Sequence, residues 1–269
     1  MIASLFFFLL SQLGVGMMLT LLFISPRRIG NGFFKFASLT AGILLGVTLA
    51  FDFFFPSPYR LGYGPQLLLL FSVVLTILYN RVVNLDKFDS ARLLLLAAIG
   101  TGLISIVWDS IAFTRLLRVG GMEHWMLAAN HLAATALLGS VLLTMVFGHW
   151  YLVIPNLSID HLMKLTKVLM GAILVRMFVF IVTFAVVGME PSLSLTKVLS
   201  ALMVQQGIFF WPRLLFGIVA PIVLAWMIHS TVKIRHTQAA TGLLYVAVVA
   251  LLFGEFFSKF LLFAVRLPF

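Results

Sequence analysis

Residues 163–188 read MKLTKVLMGAILVRMFVFIVTFAVVG. From Val168 to Gly188 the only charged side chain is Arg176. A bilayer core is crossed by roughly 20 apolar residues in a helix, so this stretch decides the fold class. It predicts a transmembrane helix with one arginine near its middle. Working outward, the same rule selects 3–24, 33–54, 65–84, 91–116, 126–154, 208–231 and 239–264. Polar breaks such as Ser25-Pro26-Arg27-Arg28 and Pro56-Ser57-Pro58-Tyr59-Arg60 separate them. Barrel strands alternate polar and apolar residues over about ten positions, and these runs do not. The expected fold is all-α, a polytopic membrane protein of about eight transmembrane helices. The Gly120-Gly121 pair divides it into two four-helix bundles, 1–120 and 121–269.

Composition agrees. The chain is 62% hydrophobic and 10% charged. A soluble globular enzyme carries far more charge, and a disordered chain needs low hydrophobicity, so both classes are excluded. The absence of cysteine excludes disulfides and Cys-ligated zinc or iron–sulfur clusters. The net charge of +10, from 18 Lys+Arg against 8 Asp+Glu, reads as basic loops at a membrane face. No nucleic-acid partner is expected. Ten of the 18 basic residues fall near the loops after spans 1, 3, 5 and 7, and six on the opposite side. Basic loops favour the cytoplasm, which predicts both termini outside. The chain reads as integral to a bacterial cytoplasmic membrane. Its first span lacks a positive n-region and a small-residue cleavage site, and reads as a retained helix.

An ionisable side chain at membrane depth is a site hypothesis by default, because hydrocarbon penalises charge. Five such groups sit on five helices between mid-membrane and the outer face: Asp109, His131, Arg176, Arg213 and Glu255. Acids and histidine exchange protons there, and arginine holds an oxygen. Each has a plainer reading beside it. Glu255 and Lys259, spaced i, i+4, pair on one helix. Asp109 pairs with Arg115 or Arg213. Arg213 extends to the headgroups. His131 bonds a neighbouring helix. Arg176 is the deepest and the hardest to explain as structure alone.

His149 follows His131 by 18 residues, about five turns and roughly 27 Å, so the two serve opposite membrane faces. His229 closes span 7 at the depth of His149. Two histidines on different helices at one depth are a candidate axial pair for haem b. Metalloprotease and phosphate-loop motifs are absent. Pro221 breaks span 7 at mid-membrane and predicts a kink. Gly42-x-x-x-Gly46 predicts a close helix contact.

The overall plan, with Ser11-Gln12-Leu-Gly14-Val-Gly16 and Phe33-Phe34 in the first hairpin and Gly242-Leu-Leu-Tyr245 to Gly254-Glu255 in the last span, resembles the NrfD-like membrane anchors of polysulfide and dimethyl-sulfoxide reductases. The resemblance implies a subunit that binds menaquinone or ubiquinone. It also implies electron exchange with a peripheral iron–sulfur or cytochrome partner, here on the outer face. A quinone needs an apolar slot for its tail, donors for its oxygens and a proton path, and the five groups above could supply the polar part. Two alternatives stand beside this reading: a haem b carrier using His149 and His229, and a proton-coupled transporter using the same acids.

Overall fold

The computed structural model describes residues 2–56, 62–116, 121–154, 157–189 and 200–266. Helix α1 (Ile2–Leu21) leads through the short α2 (Pro26–Ile29) to α3 (Asn31–Phe54), α4 (Gly64–Asn84) and α5 (Phe88–Leu116). Then come α6 (Gly121–Val153) and α7 (Ile159–Met189). After a π-helical turn at Ala201–Gln205 follow α8 (Gly207–Leu214), a second π-helical turn (Leu215–Val219), α9 (Ala220–Lys233) and α10 (Thr237–Val265). No strand occurs among the described residues. Eight spans among them are long and apolar enough to cross a membrane, the seventh being α8, the π turn and α9 together. The chain is an all-α polytopic membrane protein, as its sequence predicts. An even number of crossings returns the chain to the face it began on.

The ends of the helices follow from local chemistry. Pro65 lies in the first turn of α4, where a missing N–H is no loss. Asp86 (φ 57°) and Arg235 (φ 60°) take the left-handed conformation and reverse the chain between α4 and α5 and between α9 and α10. The Asn31 amide donates to the Asp86 carboxylate, which ties the start of α3 to that turn. Within the spans, hydroxyls donate to their own helix backbone, as Thr20 does to Gly16 O at 2.8 Å and Thr135 to His131 O at 2.7 Å. Such back-bonding satisfies a polar group where no water reaches it.

Helices α1 and α6 form the centre. In their apolar stretches 83% and 72% of positions are buried, against 28–39% in α3, α4, α5, α7 and the seventh span. The outer helices turn Leu39, Ile43, Ile77, Phe178 and Ile181 outward, as a lipid-facing surface should. Segments 1–120 and 121–269 meet along α1 and α6. There Gly16 and Gly139 bring the two backbones into contact, and a Cβ on either would overlap the other helix.

That contact replaces the one expected from Gly42-x-x-x-Gly46. A Cβ at Gly42 would meet only Thr76 Cγ2, at 3.6 Å, and one at Gly46 would meet nothing within 4 Å. The glycines that matter for packing lie on different helices, where no sequence spacing reveals them.

Gly16→Ala is expected to lower stability by about 1–3 kcal/mol through overpacking. Gly46→Ala, entering open space, should leave stability unchanged or raise it slightly through helix propensity. Thermal unfolding of the two variants in one detergent compares them directly, and equal midpoints would refute the assignment of the close approach.

Candidate functional site

The deep ionisable groups meet at one carboxylate. Glu255 on α10 is fully buried. Its Oε1 accepts from Arg176 Nε at 2.8 Å, and its Oε2 from Arg176 Nη2 at 3.4 Å and from Lys259 Nζ at 3.1 Å. Arg213 Nη2 stands 3.5 Å from Oε1. Arg176 makes two further bonds: Nη1 donates to Asn130 Oδ1 at 2.5 Å, and Nη2 to Ser258 Oγ at 3.2 Å. Asn130 in turn donates to Thr183 Oγ1 at 2.8 Å and to Met126 O at 2.9 Å. One network thus joins α6, α7, α8 and α10.

Sequence spacing explains the convergence. Glu255, Ser258 and Lys259 lie at i, i+3 and i+4, on one face of α10. Asn130 and His131 are neighbours in the buried part of α6. Arg176 and Thr183 are two turns apart on the same face of α7. Arg213 closes α8 and runs over Gly217, where a Cβ would overlap its Nη1. Gly217 also touches Gly254 of α10, the residue preceding Glu255; a Cβ on Gly254 would lie 2.5 Å from Gly217 Cα. A Cβ at 217 would displace the guanidinium, and one at 254 would force the two backbones apart.

The charges do not balance. Three cations face one carboxylate in a closed, water-poor interior, where unpaired charge is strongly penalised. Arg213 carries most of this imbalance. It is fully buried, and its Nε, Nη1 and Nη2 have no hydrogen-bond acceptor among the described residues. Its remaining contact is the Phe180 ring, whose centroid lies 5.9 Å from Cζ, a cation–π distance.

His131 approaches from the other side. Its Nδ1 lies 2.8 Å from Ser110 Oγ, and the Ser110 hydroxyl donates to Ile106 O at 2.6 Å. In the tautomer with the proton on Nδ1, His131 donates to Ser110 and Nε2 keeps a lone pair. The Phe8 ring packs on the imidazole at 4.4 Å. A cavity of about 10 Å³ separates His131 from Asn130, Arg176, Glu255, Ser258 and Lys259, room for a single water.

Of the five residues predicted at this site, His131, Arg176, Arg213 and Glu255 come together. Asp109, half-buried on α5, does not line the cavity between His131 and Glu255. Lys259, Asn130, Ser110 and Ser258 complete the site. The i, i+4 spacing marked Lys259 as a partner of Glu255. The other three are uncharged, and nothing in the sequence separates them from hydroxyls and amides that only serve their own helix. Among the other polar residues buried in the first half, Asp52 has its own partner, and the amide N and O of Gln12 on α1 have none among the described residues. The proposed haem ligands sit apart from all of these. His149 Nδ1 is 3.3 Å from the Tyr245 hydroxyl of α10, and His229 Nδ1 on α9 is buried without a hydrogen-bond partner among the described residues. No group of three or more metal-binding side chains occurs among the described residues.

Compared with family profiles, curated proteins and solved structures, the chain finds no match. Fold and site therefore define a class, a polytopic helical membrane protein built around a buried, cation-rich ion cluster.

Removing the carboxylate is expected to be the most damaging change in this cluster. Glu255→Gln strands three buried cations and should cost about 3–5 kcal/mol. Lys259→Met removes surplus positive charge and should cost far less. Unfolding midpoints in lipid nanodiscs test the order, and an equal loss from both would contradict the hub role of Glu255.

Proposed function

We propose that the chain is a quinone-reactive membrane subunit of an electron-transfer assembly, with Arg213 as the residue that holds the headgroup. The observation that carries this reading is the Arg213 guanidinium, fully buried, 3.5 Å from Glu255 Oε1 and without a hydrogen-bond acceptor among the described residues. A buried donor left unpaired costs about 1–3 kcal/mol. A quinone carbonyl is a neutral acceptor and adds no charge of its own. Glu255, engaged with Arg176 and Lys259, neutralises only part of the positive charge.

A bound quinone supplies two-electron, two-proton redox chemistry, and this chain supplies the environment for it. The surplus cations Arg213, Arg176 and Lys259 stabilise negative charge arising on the headgroup oxygens, the role of preorganised donors in a dry site. His131, separated from Glu255 by a water-sized cavity, is in this reading the group that takes up a proton. Exposed apolar residues of the seventh span, Leu215 and Val219, offer the isoprenoid tail a lipid-side path. The electron partner in this reading is a peripheral iron–sulfur or cytochrome subunit on the outer face of a bacterial cytoplasmic membrane.

The irregular seventh span favours a second reading. Pro212, Pro221 and the π-helical turn between them break the helix beside the charged site, as in transporters that bind at the membrane midplane. A proton-coupled transporter would use the same residues without a redox partner.

Arg213→Gln is expected to weaken binding of a soluble quinone analogue about 10–100-fold, the value of a charge-assisted hydrogen bond. Gly217→Ala, which displaces the guanidinium without removing it, should weaken binding in the same direction. Titration of folded protein in nanodiscs measures both. Unchanged affinity in the two variants would sink the quinone reading, and proton-coupled solute uptake by liposomes holding the chain alone would replace it with transport.

A further inference from the structure

The opposite end of the bundle holds a second site. A cavity of about 270 Å³ lies where the end of α1 and the α1–α2 turn meet α3, α4 and the start of α5. Its wall is apolar below, with Leu21, Phe34 and Leu95, and polar at the mouth. The volume approaches the lower limit of small-molecule sites.

Three donors line this cavity without a partner. The Ser25 hydroxyl precedes α2 and makes no capping hydrogen bond. The Tyr79 side chain is buried at 2% exposure, and its hydroxyl makes no hydrogen bond among the described residues. Arg92 is exposed at the mouth and enters no ion pair among them. By contrast, Arg27 is already committed: its Nη2 lies 3.3 Å from Asp89 Oδ1 and its Cζ 5.6 Å from the Phe88 ring centroid. That pair fixes one side of the mouth and leaves Arg92 as the uncompensated charge.

We propose that this cavity binds a phosphate-bearing headgroup, with Arg92 as a bidentate donor and the Ser25 and Tyr79 hydroxyls completing the contact. Arginine matches phosphate oxygens in pairs. The apolar wall suits the first methylenes of an acyl chain. The same end of the molecule carries Arg28, Arg81 and Lys87, which attract anionic lipid from a distance. Basic pockets between helices at such a face are where anionic headgroups bind. The phosphate belongs to an anionic phospholipid or to a soluble phosphate ester, and the experiment separates these sources.

The full chain is purified in detergent, stripped of lipid, and titrated with phosphatidylglycerol, with phosphatidylcholine and with inorganic phosphate. Binding is read by native mass spectrometry and by the unfolding midpoint. A preference for phosphatidylglycerol over phosphatidylcholine, reduced about tenfold in Arg92→Gln and also reduced in Tyr79→Phe, supports a lipid site. Equal protection by inorganic phosphate, lost in Arg92→Gln, supports the same site with a soluble ligand. Wild type and Arg92→Gln behaving alike with all three overturns the proposal. Arg92 is exposed, so its variant should fold. The Arg213 site is at the other end, so quinone-analogue binding measured on the same samples reports separately.

Discussion

A carboxylate inside a membrane protein is stable there only while it is held by cations and donors, and Glu255 shows what that demands. Its two oxygens are reached by Arg176 from α7 and Lys259 from its own helix, with Arg213 of the seventh span close behind. Since each ion is costly to bury alone, the helices carrying them are stable in place only together. The apolar spans secure insertion into lipid, but apolar contact between helices in lipid has little directional preference. The ion cluster supplies direction: it fixes which faces of α6, α7 and α10 meet, because a rotation of any one would leave a charge unpaired in hydrocarbon.

Close approach makes such a cluster possible. Gly217 against Gly254 lets the seventh span and α10 touch at their backbones, and this contact sits beside Glu255. Side chains as long as arginine then reach the carboxylate from neighbouring helices without a water layer between. At the centre, Gly16 and Gly139 do the same for α1 and α6. The Phe8 ring, two turns before Gly16 on the same face of α1, lies directly on His131. Packing of the first half therefore sets the position of a polar residue in the second.

Much of this was legible in the sequence, for a reason specific to membranes. Hydropathy reports the solvent, and eight apolar runs correspond to eight spans within a few residues at each end. Charge at depth is so expensive that Arg176, Arg213 and Glu255 stood out without any knowledge of their neighbours. The i, i+4 pairing of Glu255 with Lys259 was also readable, although it is only one of three ion pairs on that carboxylate. What stayed hidden depends on direction. Thr135 and Asn130 both lie in α6, yet Thr135 bonds its own backbone and Asn130 crosses to Arg176 and Thr183. Asp109 and Ser110 are adjacent, and it is the serine that turns to His131. A single helix face separates the two outcomes, and that face is fixed by partners far along the chain.

The seventh span shows where regular structure gives way to the site. Pro221 has no N–H to offer Gly217, and the chain accommodates this with a π-helical turn over Leu215–Val219, where Ala220 N–H bonds Leu215 O. A π turn widens the helix and is most often kept at functional positions. Here it directly follows Arg213 and contains Gly217, the residue whose missing side chain makes room for the guanidinium. A larger residue at 217 would bring a Cβ within 3.4 Å of Gly254 Cα. It would also deny Arg213 its place. The irregular turn, the bare glycine and a guanidinium with no hydrogen-bond acceptor among the described residues are three separate costs borne within a few residues of one another. All three are accounted for together if an acceptor outside the chain completes the arginine's hydrogen bonds.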